Sequence, residues 1–210
     1  REMRKIDHIV YTVPNLEEAV AELETRLGVK PLIGGRHDTQ GTRNALINLN
    51  DGAYLEILAA DDENTNIPPP RWMGVDVLSR SRITRWALKS NNLTTDGKVL
   101  REHDPALGHT KAGSRQRPDG SMLRWELILP TSVPEVDVIP FMVDWSQSDI
   151  HPHEALPDMG CSIIELQLQH PEPERIQPVL QELGVKVPVT KGEKPDIILV
   201  LRCPAGNIPI

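Results

Sequence analysis

The chain has 210 residues and a formal net charge of −7, with 30 acidic against 23 basic side chains. That balance speaks against nucleic acid or an anionic membrane surface as the main partner, and no run approaches the ~20 apolar residues of a membrane span. The start, Arg1-Glu2-Met3-Arg4, lacks the apolar core of a signal peptide, so a cytoplasmic location is expected. Nineteen prolines and a single phenylalanine predict short elements joined by turns, with few helices. Cys161 and Cys203 sit in apolar, strand-like contexts; reduced core thiols are the favoured reading and a disulfide the alternative.

The first segment to read clearly is Ile6–Val13, a strand rich in β-branched residues and bounded by Pro14-Asn15. Asn15 followed by Glu18 makes a capping box, and Leu16, Val20, Leu23 and Leu27 form one apolar stripe that predicts a helix ending at Gly28. Three strands follow at about 31–37, 43–49 and 53–59, the last two joined by the hairpin signal Asn50-Asp51-Gly52. The order is βαβββ. Residues 61–82, with Ile67-Pro68-Pro69-Pro70, read as a surface connection.

A second, less regular unit has a strand at Thr84–Lys89, a weak helix or loop to about 103, and strands near 109–115, 122–129 and 138–144. A connection at 146–160 carries His151-Pro152-His153. The third unit opens with Ser162–Gln169 and continues with a helix at about 173–183, on the stripe Ile176, Val179, Leu180 and Leu183. Strands near 185–189 and 196–203 finish it. The turns Asn50-Asp51-Gly52, Pro118-Asp119-Gly120 and Pro204-Ala205-Gly206 suggest one unit used three times. Four residues past each glycine stand Glu56, Arg124 and Ile210. The units are placed at 1–60, 83–145 and 161–210, the last truncated.

This pattern resembles the vicinal-oxygen-chelate superfamily, and within it the glyoxalase-like domain family. The residues that carry the likeness are Ile6–Tyr11, Gly34-Gly35-Arg36-His37, Gly41–Leu46, Tyr54–Leu58, Trp86-Ala87-Leu88, Arg124-Trp125, Pro140–Trp145 and His151-Pro152. The resemblance implies an α+β fold in which βαβββ modules form a curved, half-open, mostly antiparallel barrel around a small-molecule site. It does not fix a reaction, because the superfamily spans lyases, isomerases, ring-cleaving dioxygenases and inert drug-sequestering proteins.

Strand alternation turns Ile9, Tyr11 and Val13 towards the helix, and His8, Val10 and Thr12 into the barrel; Tyr54, Glu56 and Leu58 share a face. His8 and Glu56 are therefore the candidate catalytic pair. In metal-binding members the first and last strands of a module each supply a ligand, so His8, Glu56 and Glu165 form a candidate set for Zn, Fe, Mn or Ni if units one and three build the barrel. If units one and two build it, the counterparts are Arg85 and Arg124. Arg124 is then expected beside Glu56, holding a substrate carboxylate or enediolate rather than a metal. Asp144 enters if Phe141–Trp145 is the true last strand of unit two. Asn44, Trp145 and His151 are candidate substrate contacts, and His37 stands at the barrel mouth or on the surface. No G-x-S-x-G, Walker-type loop or C-x-x-C is present.

The expected function is that of a glyoxalase-like enzyme on a small oxygenated substrate, anionic or neutral, by lyase, isomerase or dioxygenase chemistry. The alternative is a metal-free protein that sequesters a small molecule. A homodimer is compatible with either.

Overall fold

A computed structural model describes residues 4–117 and 119–210. The start Arg1-Glu2-Met3 and Pro118, the first residue of the second expected turn, lie outside the described residues. Unit one consists of β1 (Ile6–Thr12), α1 (Leu16–Leu27), β2 (Leu32–His37), β3 (Thr42–Asn48) and β4 (Tyr54–Ala60). The side chain of Asn15 accepts from the Glu18 N–H and Gly28 closes α1 at φ 75°, so both expected helix signals act as read. Leu16, Val20, Leu23 and Leu27 are buried against the sheet.

Unit two consists of β5 (Arg82–Lys89), α2 (Leu93–His103), β6 (Thr110–Gln116), β7 (Met122–Ile128) and β8 (Phe141–Asp144). Here the weak helix of the sequence reading becomes a full one, capped by Asn92 on the Thr95 N–H. Its poor propensity comes partly from Gly97, where a Cβ would lie only 3.2 Å from the Gly108 carbonyl oxygen. Close packing against the 104–108 turn, together with the Arg4–Asp96 ion pair at 2.7 Å, holds the helix in place. Tertiary contacts outweigh propensity.

The two units join through β1 and β5, which pair antiparallel in the middle of one strongly curled, eight-stranded half-barrel of order β2-β3-β4-β1-β5-β8-β7-β6. The α+β, mostly antiparallel fold is as expected. Each unit lays its last strand parallel to its first, and the register fixes equivalent positions: Val10 faces Glu56 as Ala87 faces Phe141. Residues two before these are His8 and Arg85, each seven residues ahead of its helix cap, Asn15 or Asn92.

The third unit departs from the repeat. β9 (Ser162–His170), α3 (Pro173–Glu182), β10 (Val189–Lys191), β11 (Asp196–Cys203) and β12 (Gly206–Pro209) make it up, and its strands form a separate sheet of order β10-β9-β11-β12. There β9 runs antiparallel to β11. In unit one the first and last strands are instead parallel neighbours. The turn at Pro204-Ala205-Gly206 joins β11 to β12, so Ile210 is not the counterpart of Glu56. This sheet shares one apolar core with α1 and the back of the half-barrel. Cys161 and Cys203 are buried free thiols within it.

Candidate functional site

The concave face of the half-barrel forms a half-open cavity of about 80 Å³, lined by both His8 and Glu56. They arrive from neighbouring strands, β1 and β4, and each is only 5% exposed. His8 Nε2 stands 3.7 Å from Glu56 Oε1, within ion-pair range but longer than a hydrogen bond.

Each of the two side chains is held from behind. Asn44 on β3 donates its amide to Glu56 Oε2 at 2.7 Å. Its own Oδ1 accepts the Gly35 N–H at 3.0 Å, which fixes the orientation of the amide. A Cβ at Gly34 would fall 2.2 Å from that Oδ1, so only glycine fits there. The second oxygen of Glu56 is thus tied down, and Oε1 is left facing His8. His37 reaches the same carboxylate from β2, with Nε2 at 3.7 Å from Oε2. Burial pushes its imidazole below the ordinary value, against the pull of Glu56, so it is neutral. The Thr42 hydroxyl accepts from the Trp72 indole N–H at 2.9 Å and contacts His37 Nδ1 at 3.0 Å. Its proton therefore goes to Nδ1, and His37 presents Nε2–H to Glu56.

Behind His8 lies a residue that alternation conceals. The β1–β5 pairing shifts register between Ile6 and His8, and this bulge swings the Asp7 carboxylate round to His8 Nδ1, at 2.6 Å. Asp7 is wholly buried. Its other oxygen accepts from His151 Nε2 at 2.7 Å and from the Trp145 indole at 3.0 Å, with Lys89 Nζ at 3.7 Å. Burial alone would raise this carboxyl, but the hydrogen bonds and charges of His151 and His8 outweigh it and hold the group well below the usual carboxylate range. His151 Nδ1 accepts from the His153 backbone N–H, which leaves its proton on Nε2 for Asp7. An ionised Asp7 in turn fixes the proton of His8 on Nδ1, so Nε2 is the nitrogen that addresses the cavity. Tyr54 stacks on the His8 ring at 4.8 Å, and burial with the nearby carboxylates raises its phenol.

Several sequence candidates fall elsewhere. Arg124 is not the partner of Glu56: it projects from the outer face of β7 and pairs with Asp149 at 3.2 Å. The turn at 118–120 joins β6 to β7, whereas 50–52 joins β3 to β4, so counting from the glycines compared unlike strands. The counterpart of Glu56 is Phe141, which lines the cavity. Asp144 does belong to the last strand of unit two, yet it caps the Ser146 N–H at the strand end. Glu165 lies in the second sheet, where it accepts from Gln167, so the set His8, Glu56 and Glu165 is not assembled. Trp145 lines the cavity; His151 sits behind it on Asp7 rather than on the cavity wall.

Arg85, in the place matching His8, donates to the carbonyl oxygens of Thr84, Thr131, Pro134 and Glu135. Burial lowers it to about 10, still a cation at neutral pH. Among the described residues no three His, Cys, Asp or Glu side chains are placed to hold a metal ion. With a cation and a phenyl ring at two of the places that would face His8 and Glu56, the donor set does not fit a resident divalent ion.

A half-barrel of two βαβββ units, with its polar pair on the first and last strands of one unit, defines a protein of the vicinal-oxygen-chelate superfamily. Residues 6–184 match the family model for the glyoxalase-like domain, and the chain belongs to that family. A crystal structure of a hypothetical protein from Staphylococcus aureus matches 92% of this chain and 88% of its own, with a TM-score of 0.65 at 15% identity. That likeness of fold takes in the third unit. Methylmalonyl-CoA epimerase from Streptomyces coelicolor, in complex with 2-nitronate-propionyl-CoA, matches 69% of this chain and 99% of its own, with a TM-score of 0.43 at 20% identity. The methylmalonyl-CoA epimerase from Mycobacterium tuberculosis matches 66% and 86%, with a TM-score of 0.40 at 22% identity. No curated protein sequence gives a significant match.

Proposed function

We propose that this protein is an enzyme of proton transfer, of isomerase or lyase type, acting without a metal on a small oxygenated substrate. The observation that carries the reading is the buried chain Asp7–His8–Glu56, in which an ionised Asp7 directs His8 Nε2 towards the one free oxygen of Glu56. A carboxylate so placed can take a proton from a carbon beside a carbonyl. The C–H electron pair passes to the carbonyl oxygen, and the lone pair of His8 Nε2 takes the proton of the neighbouring hydroxyl and hands it to that oxygen. Return of the proton from Glu56 to the neighbouring carbon completes an isomerisation. Dioxygenase chemistry loses support, since the donor set does not fit the metal that would carry it.

Deuterium uptake from D2O into 2-hydroxy- and 2-oxo-carbonyl compounds, followed by proton NMR, tests this reading. The wild type is expected to exchange the C–H next to the carbonyl, and Glu56→Gln to lose about 100-fold or more of that rate. Equal exchange by Glu56→Gln would remove the carboxylate from the mechanism. Binding without exchange would favour sequestration in the apolar cavity instead.

A further inference from the structure

The cavity is bordered by a cation that, among the described residues, has no carboxylate partner. Arg115 lies on β6, one edge of the curled sheet, and reaches across the open side to β2, the other edge, where its Nη1 donates to the Gly34 carbonyl at 3.1 Å. Its guanidinium lies flat on Gly35, where an added Cβ would meet Nη1 at 2.9 Å and Cζ at 3.1 Å. The side chain therefore spans the opening of the half-barrel, and the backbone of Gly34-Gly35 is its seat.

The neighbouring cations are differently placed. Arg36 is committed to Asp61 at 2.5 Å and Glu63 at 3.0 Å, and Arg117 to Asp119 at 3.1 Å. Arg85 has its carbonyl oxygens. Arg115 has one carbonyl and, among the described residues, no carboxylate. It is half-buried, and both burial and the positive charge of Arg117 lower its guanidinium below the ordinary value. A cation that burial and a like charge both disfavour, with donors still free, is stabilised by an anion brought to it.

Position says where that anion would belong. Arg115 lines the inner cavity with His8 and Glu56, and also lines an adjoining outer cavity of about 290 Å³ that the exposed Lys111 borders. Trp72 and Trp125 line both as well, so the two spaces adjoin at these side chains. Trp125 can lie across β6 because Gly113 opposite has no Cβ; one there would meet the indole at 2.6 Å. The arrangement is a polar reactive end at Glu56, flat apolar walls, and a free fork of donors at the neck.

We infer that Arg115 is the anion-binding residue of the site, and that the ligand carries a carboxylate or phosphate group separated by an apolar stretch from the end that meets Glu56. The inference rests on the cavity being a substrate site, but not on the chemistry proposed for Glu56. Planar, bidentate donation by a guanidinium suits both anions, whose oxygens accept it in the same way.

Calorimetric titration of the full chain with 3-phenylpropionate, phenethyl phosphate and the neutral 3-phenylpropanamide tests the assignment. The wild type is expected to bind one or both anions at least about tenfold tighter than the amide, in line with charge-assisted pairing. Arg115→Met should abolish that preference while leaving the affinity for the amide in place, which also shows that the cavity is intact. Arg115→Lys should recover part of it. The order of carboxylate and phosphate in the wild type identifies which anion the neck prefers. Equal binding of anions and amide by the wild type, no binding of any of the three, or a preference that survives in Arg115→Met would overturn the assignment. Because no turnover is read, this result and the deuterium-exchange result can fail independently.

Discussion

The two halves of the curled sheet share one backbone plan and put it to different uses. In unit one the paired positions on the first and last strands hold His8 and Glu56, and both look into the cavity. In unit two the matching positions hold Arg85 and Phe141. Arg85 anchors the 131–135 segment through its carbonyl oxygens, and Phe141 packs with Val10, Leu58 and Ala87 in the apolar lining. The same strand positions thus hold the candidate polar pair of the cavity on one side of the two-fold and structural contacts on the other. A site built this way needs only one half to be reactive, and the other half can supply shape.

This contrast can be broken most severely at Asp7, the group that holds the reactive half together. Replacing it with Ala leaves His8, His151 and the Trp145 indole without their acceptor in a dry site, and should cost about 3 kcal/mol or more of stability by chemical denaturation. The pH dependence has a definite sign. The folded-state value of Asp7 lies below its ordinary 3.8, so its contribution is full above about pH 4 and is lost as pH falls from there towards the folded value. Wild-type stability should therefore slope downwards below about pH 4, and Asp7→Asn should flatten that slope. A slope unchanged in Asp7→Asn would mean that other carboxyls carry it.

In the packing half the expected effect is of similar kind but comes from volume and not charge. Phe141→Ala should destabilise by about 3 kcal/mol through the cavity it opens, whereas Glu56→Gln should change stability by less than about 1 kcal/mol, since the Asn44 contact can be remade by amide rotation. Thermal melts of both variants side by side check the comparison. Equal losses would erase the division of labour. The smallest effect belongs to Arg124→Met on the outer face, within about 0.5 kcal/mol and with ligand affinity unaltered.

What could be read from the chain follows the regularity of its strands. Glu56 and Asn44 sit on strands that pair without a register shift, and His8 keeps regular parallel register with β4, so parity alone turned them to one face. Asp7 was hidden by the bulge at its own position, which no composition signal marks. Arg115 was out of reach because its role depends on two sheet edges meeting, a contact 81 residues apart in sequence. Its trace was nevertheless present. Gly34-Gly35 is too short to cradle a phosphate, but two adjacent glycines in a strand also mark close approach of other groups, here Asn44 and Arg115. Arg124 was misassigned because similar turns were taken to join equivalent strands. The third unit was misread for a related reason: helix and turn signals repeat, while strand pairing, which decides topology, leaves no local signature.

The central claim is that reactivity resides in unit one alone and needs no metal. It is tested most directly by measuring deuterium exchange in the presence of a chelator for the wild type, Glu56→Gln and Phe141→Leu. The account predicts that the chelator leaves the wild-type rate unchanged, that Glu56→Gln falls by about 100-fold or more, and that Phe141→Leu stays within about tenfold of wild type. A rate abolished by the chelator, or lost equally at the two matching positions, would contradict it.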